Sequence, residues 1–266
     1  MKKPLIILTG PTAVGKTKLS ISLAQAVNGA IISADSMQVY RHMDIGSAKI
    51  RPEEMCGVPH YLIDVLDPSE EFHVVKFVEL AHEAMEKIYA AGQIPIVTGG
   101  TGFYIQALLK EVDFTESHGE LPIRKQLEEK AATEEGAAEL YRELSEVDPA
   151  SAETIHPNNV KRVIRALEYY HETGQKISEH NEEQKQKESP YCSAYFVLND
   201  ERSILYDRID RRVDQMIRDG LVEEVFRLKE MGYTRDLVSM QGLGYKELFP
   251  YLAGECTLEE AVYIIK

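Results

Sequence analysis

The stretch "TGPTAVGKT" (residues 9–17) follows the apolar run "PLIIL" (4–8) and fits G-x-x-x-x-G-K-[ST], with Gly10, Gly15, Lys16 and Thr17 at the fixed positions. Such a loop turns backbone N–H groups inward as a nest for phosphate oxygens, while the lysine adds a point charge and the threonine hydroxyl can hold Mg²⁺. "LIIL" reads as a buried strand, and Leu19, Leu23 and Val27 recur at helical spacing before Gly29. Strand, glycine loop and helix therefore stand in the order the motif requires. The loop asks for a polyphosphate, and its pattern does not say which one.

Residues 1–114 continue this alternation. "AIISADS" (30–36) and "IPIVTGG" (94–100) are apolar runs ending in polar and glycine residues, separated by a helix pattern with Phe77, Leu80, Ala81, Met85 and Ile88. Strand, crossover and strand imply a parallel sheet with helices on its faces. Ligands of such sheets gather outside the carboxyl ends of the strands, so residues 9–17, 34–38 and 98–104 are expected to converge. From 115 to 193 Glu, Lys, Gln and Ala take over, and helix signals replace strand signals. Pro122 opens a helix with Ile123, Leu127 and Ala131 on one face; Ala137, Leu140, Tyr141 and Leu144 mark a second. Asp148 stands as N-cap before Pro149, and Val160, Val163, Ile164 and Leu167 line a further helix closed by Gly174. "SEHNEEQKQKESP" (178–190) reads as a polar, mobile link. "YCSAYFVLND" (191–200) returns to a strand, and helices ending at Gly220 and Gly232 follow. The reading is an α/β core interrupted by an α-helical insertion at 115–193 and resumed over 194–266. "TLEEAVYIIK" stops in the middle of a helical pattern, so a continuation past Lys266 is expected.

The 266 residues are 44% hydrophobic and 28% charged, ordinary values for a globular chain. No run approaches the roughly 18 apolar residues of a membrane span. "MKKPLIILTG" is too short in its apolar part for a signal peptide, so a cytoplasmic chain without a membrane partner is expected. Cys56, Cys192 and Cys256 are scattered and read as free thiols, and the histidines lack ligand spacing, so no structural metal is expected. A net charge of −14 by itself argues against a nucleic-acid partner, although local basic clusters matter more than the total.

Four sets of residues carry candidate chemistry. Asp35, ending the second strand, reads as a Mg²⁺ ligand or general base, or else as a helix N-cap or an Asx turn before the next helix. Thr101 sits among Gly99, Gly100 and Gly102, where the backbone is free to approach a ligand or simply to turn tightly. Arg208 and Arg212, four apart on one helix, form either a phosphate clamp or a solvated face paired with Asp207, Asp210 and Asp214. Lys161, Arg162 and Arg165 either grip an RNA backbone or form an ordinary exposed face. Neither core strand ends in the acidic pair of a hydrolysing NTPase, which weakens a plain ATPase reading.

In order along the chain, "GPTAVGKT", "SADSMQVYRHMDIGSAK", "VPHYLIDVLDP", "TGGTGFYIQALL", "HPNNVKRVIRALE" and "LYDRIDRRVDQMIRDGLVEEV" resemble the bacterial tRNA dimethylallyltransferases, also called tRNA isopentenyltransferases, from Leu5 to about Lys246. The resemblance implies a P-loop NTPase-like sheet flanked by helices, and transfer of a dimethylallyl group from dimethylallyl diphosphate. The acceptor it implies is the exocyclic N6 amine of the adenine 3′ of the anticodon in tRNA, with Mg²⁺ assisting. It implies a diphosphate cradle of Gly10, Thr12, Ala13, Val14, Gly15, Lys16 and Thr17, with Thr17 on the metal and Arg208 on the diphosphate. Asp35 corresponds to the general base and Thr101 to the threonine at the reacting centre. Ser36, Met37 and Gln38 belong with Asp35 and Thr101 to the surface meeting the flipped adenine. Arg124, Lys161, Arg162, Arg165, Gln241, Gly244 and Lys246 fall in regions that touch tRNA, and the protein is taken as a monomer.

Two departures stand out: His60-Tyr61 where many members have two histidines, and the lack of the basic segment with which the family usually continues. The rival readings are a small-molecule P-loop kinase, a prenyltransferase for free adenosine nucleotides and a non-catalytic RNA-binding module. The kinase would need a nucleotide-base pocket and an arginine-rich lid. The long helical insertion argues against a free nucleotide, which needs no such grip.

Overall fold

The computed structural model describes residues 2–112 and 122–266, so the expected boundary at 114/115 lies outside the described residues. The chain divides into two compact units, Met1–Leu109 with Pro190–Lys266, and Lys110–Ser189.

The first unit is built on a five-stranded sheet in the order β3-β2-β4-β1-β5, with every pairing parallel. The strands are β1 (Lys3–Thr9), β2 (Gly29–Ser33), β3 (His60–Tyr61), β4 (Ile94–Gly99) and β5 (Tyr191–Val197). Leu5, Ile7 and Leu8 of β1 and all of β2 are buried, as a parallel sheet covered on both faces demands. Helix α1 (Lys16–Val27) covers one face, where Ala24 packs with Ile31, Val58 and Ile96. Helix α2 (Val74–Ala90) covers the other through Phe77, Ala81, Met85 and Ile88, the stripe its periodicity announces. Helix α3 (Gly102–Lys110) joins α2 on this side through Tyr104, Ile105 and Leu108.

Two local details differ from the pattern reading. Leu19 is 43% exposed, and α1 ends at Asn28 in the left-handed region, one residue before Gly29. Gly29 answers a different need, since a Cβ there would lie 2.8 Å from Ile96 Cδ1.

The second unit holds α4 (Pro122–Lys130), α5 (Glu134–Val147), α6 (Pro149–Thr154), α7 (Val160–Thr173) and α8 (Ile177–Gln186). Leu127, Leu140, Leu144, Val163, Ile164 and Leu167 form its own core. Asp148 caps α6 with Pro149 in its first turn, and Gly174, at φ 71°, ends α7. The expected mobile link is corrected: residues 178–186 of that stretch belong to α8. Glu, Gln and Lys are good helix formers. Buried Asp148 anchors the helix start by accepting from Ser178 N at 3.0 Å and Ser178 Oγ at 2.6 Å.

After β5 the chain runs through α9 (Arg202–Arg218), α10 (Leu221–Glu230), α11 (Leu248–Leu252) and α12 (Leu258–Ile265). Val213, Leu221, Val225, Leu228, Tyr245, Leu248 and Ile265 join the core of the first unit. No helix among the described residues is long and apolar enough to cross a membrane.

Candidate active site

The glycine loop leaves β1 where three strand ends meet. Ala34 N donates to Thr98 O at 2.8 Å, and Thr9 Oγ1 donates to Gly99 O at 2.9 Å. Gly99 packs so closely on the end of β2 that a Cβ would collide with the Ala34 carbonyl, and a Cβ on Gly10 would lie 2.5 Å from Leu198 O. These glycines are required by backbone approach. Gly15, at φ 96°, opens α1 with no side-chain cap, which leaves first-turn N–H groups available to an anion. Lys16 Nζ donates to Gly10 O at 2.9 Å and Pro11 O at 2.7 Å, across the mouth of the loop.

A cavity of about 750 Å³ opens beside this loop. Thr12, Ala13, Gly15, Lys16 and Thr17 form one wall, and Asp35, Ser36, Met37 and Gln38 a second. Gly46, Ser47 and Ala48 with Gln241, Gly242 and Gly244 form a third. Phe72, Tyr104, Ile209, Val213 and Met216 supply an apolar side.

Asp35 is half-buried, and its oxygens differ. Oδ1 accepts from Met37 N at 2.8 Å and Gln38 N at 3.3 Å, whereas Oδ2 has no hydrogen-bond partner among the described residues. Burial holds the Lys16 ammonium below the usual lysine range; the Asp35 carboxylate opposes that shift and the Arg212 guanidinium adds to it. Burial likewise lowers Arg212, again against the pull of Asp35. The Tyr104 phenol is pushed up by burial and then by Asp35. Two cations and a phenol thus respond to one carboxylate.

Of the two arginines on α9, it is Arg212 that lines the cavity, and no hydrogen bond or ion pair to a described residue holds its guanidinium. Arg208 pairs with Asp200 at 2.9 Å and reaches Ala13 O at 3.5 Å, on the outer side of the loop. Thr101 does not line the cavity; its carbonyl accepts from Tyr104 N at 3.0 Å and Ile105 N at 3.2 Å at the start of α3. Gly10 and Val14 belong to the loop without lining the cavity, and Lys246 lies 3.6 Å from Glu247. The sequence reading gives no role to Gly46, Ser47 or Ala48, although "MDIGSAK" sits inside a matched block, and nothing singles out Phe72. Among the described residues no group of three or more His, Cys, Asp or Glu is placed to hold a metal, which leaves Thr17 as the candidate hydroxyl for a hard cation.

In the helical unit, Lys161 and Arg162 are exposed at the start of α7. Arg165 and Arg124 instead converge on Glu168 Oε2, at 2.9 Å and 3.4 Å, and Glu168 is fully buried.

Comparison with known proteins places this arrangement in context. The model of the family described as IPP transferase matches residues 38–266. The tRNA dimethylallyltransferase of Lachnoclostridium phytofermentans is 65% identical over 264 residues, which is 99% of this chain and 84% of that protein. The crystal structure of full-length tRNA isopentenylpyrophosphate transferase from Bacillus halodurans superimposes with a TM-score of 0.72 at 46% identity, covering 100% of this chain and 82% of that one. A eukaryotic dimethylallyltransferase captured acting on tRNA gives a TM-score of 0.81 at 33% identity, with 99% and 66% covered.

Proposed function

The chain belongs to the IPP transferase family, with the tRNA dimethylallyltransferases among its relatives, and we propose that it transfers a dimethylallyl group from dimethylallyl diphosphate to the N6 amine of the adenine 3′ of the tRNA anticodon. The observation that carries this reading is the pairing, in one cavity, of a glycine phosphate loop with a carboxylate that keeps one oxygen free. The full-length similarity to enzymes named for tRNA disfavours both the kinase and the free-nucleotide alternatives.

The loop N–H groups and Lys16 take the diphosphate, and Arg212 faces it from α9, with Arg208 at the loop's outer side. These charges stabilise the negative charge that develops as the carbon–oxygen bond breaks. The apolar side formed by Phe72, Tyr104 and Val213 suits a prenyl chain. The adenine amine is a poor nucleophile, so Asp35 Oδ2 takes its proton as the new carbon–nitrogen bond forms. Thr17 would hold Mg²⁺, and the ion would offset charge on the leaving diphosphate. The adenine must leave its stack to reach Asp35, and Lys161, Arg162, Arg165 and Arg124 of the helical unit are assigned to hold the RNA.

The test is to supply labelled dimethylallyl diphosphate with tRNA, with AMP or with neither, and then to locate the label. Label on tRNA alone is expected; label on AMP, or on neither acceptor, would overturn the reading.

A further inference from the structure

Glu224, on α10, is 1% exposed and takes no part in the chemistry above. Its carboxylate receives four donors: Asp44 N at 2.9 Å and Ile45 N at 2.8 Å on Oε2, and Gly46 N at 3.1 Å and Tyr245 Oη at 2.7 Å on Oε1. A carboxylate offers acceptor sites to all four, whereas a carboxamide NH₂ would stand against at least one of the backbone N–H groups. The residue is held rigidly, since its helix neighbours Leu221, Val225 and Leu228 are buried in the core.

The hydrogen bonds on either side lead to the cavity. The backbone at Gly46 lies flat on the Tyr245 ring, where an added Cβ would stand 2.5 Å from ring carbons. The next two carbonyls, Ser47 O and Ala48 O, accept from Gln38 Nε2 at 3.3 Å and 3.4 Å. Ser33 Oγ donates to Gln38 Oε1 at 3.1 Å, so both ends of that carboxamide are fixed. Gln38 N in turn donates to Asp35 Oδ1. A chain of hydrogen bonds thus runs from Glu224 through loop 44–48 to Gln38 and Asp35, and the phosphate loop is not in it.

We propose that Glu224 is a positioning residue for the acceptor side of the site: it fastens loop 44–46 to Tyr245 and so sets the geometry of Gln38 and Asp35 toward the incoming adenine. The proposal rests on the prenyl-transfer reading of this cavity. Its signature is a selective loss on the tRNA side.

The experiment compares wild type, Glu224→Gln, Gln38→Ala and the double variant in the whole 266-residue chain, measuring kcat and KM for tRNA and, separately, donor affinity. Glu224→Gln is expected to lower kcat/KM for tRNA by about 10²-fold, the scale of a small misplacement of a reacting group. Donor affinity should stay unchanged. In the Gln38→Ala background the same substitution should add little, because both act through one network. Wild-type kinetics in Glu224→Gln, a parallel loss of donor affinity, or full additivity with Gln38→Ala would each overturn the proposal. If Glu224→Gln does not fold, Gly46→Ala, which wedges the same loop off Tyr245, must show the same tRNA-selective loss; undiminished tRNA kinetics in it would overturn the proposal. A wild-type chain that puts no label on tRNA overturns the functional reading itself, and this proposal falls with it.

Discussion

Asp35 does two things with two oxygens. Oδ1 closes an Asx turn onto Met37 and Gln38, and Oδ2, without a partner among the described residues, is the atom proposed as base. Asparagine keeps an oxygen for the turn and loses the basicity. Asp35→Asn is therefore expected to cut single-turnover transfer by roughly 10²–10⁴, the usual worth of a positioned base, with donor affinity near normal. Arg212→Ala should do the reverse, weakening donor binding first. Equilibrium binding of the donor set beside single-turnover rates separates the two, and an Asn variant as fast as wild type would remove the base assignment. Asp35 was legible as a candidate because an acid at a strand end is a small class of residue; the structure shows the turn and places the carboxylate on the cavity wall. The choice between Arg208 and Arg212 was not legible. Residues four apart share a helix face, and only the seating of α9 decides which guanidinium enters the cavity and which pairs with Asp200. Glu224 was hidden for a different reason: three of its four donors lie about 180 positions earlier in the chain and are backbone N–H groups, which leave no mark in sequence.

Helix α7 shows how one pattern hides two kinds of cation. Lys161 and Arg162 lie exposed in its first turn, where no acid accompanies them and the helix dipole disfavours positive charge. A cost of that sort is easier to understand if an anion sits there in use. Arg165, one turn on, is tied to buried Glu168, which also draws Arg124 across from α4. Replacing Lys161 and Arg162 by Ala should flatten the salt dependence of tRNA binding by about one slope unit for each phosphate that is no longer gripped, with donor affinity untouched. Arg165→Ala should change the slope less, because part of its charge is already matched by Glu168. Plots of log affinity against log salt check this, and an unchanged slope in the Lys161/Arg162 variant returns both to a plain solvated face. The helices with an apolar stripe, α2, α5 and α7, were legible from periodicity alone. Helix α8 was not, because its sequence is polar almost throughout and its anchor is Asp148, thirty residues away. Strand β3 is two residues long, too short for any period to show.

The assembled α/β unit sets a glycine loop, an apolar side and a carboxylate with one oxygen unpartnered among the described residues around one space, and that combination bears on the question left by "TGPTAVGKT". Backbone N–H groups cannot tell a nucleotide's phosphates from those of a prenyl diphosphate, because the nest reads only the oxygens. Discrimination comes from what lies beyond them. Here the neighbours are Phe72, Tyr104, Ile209, Val213 and Met216 on one side and Asp35 with Gln38 on another. The first set suits a hydrocarbon chain, and the second suits the hydrogen-bonding edge and amine of an adenine brought in from tRNA. Neither core strand beside the loop ends in an acidic pair that would orient water onto a γ-phosphate: β2 runs into Ala34-Asp35, and β4 ends at Gly99 before Gly100. ATP is therefore expected to occupy the loop weakly, as a phosphate mimic, and to be spent nowhere in the cycle. The measurement is prenyl transfer to tRNA with Mg²⁺ and dimethylallyl diphosphate in the complete absence of ATP, followed by titration of ATP. Full turnover without ATP and competitive inhibition against the donor as ATP rises are the expected results. Strict dependence on ATP, with inorganic phosphate released in step with each modified adenine, would instead make the loop a nucleotide hydrolysis site and would require a water-orienting group elsewhere in the chain.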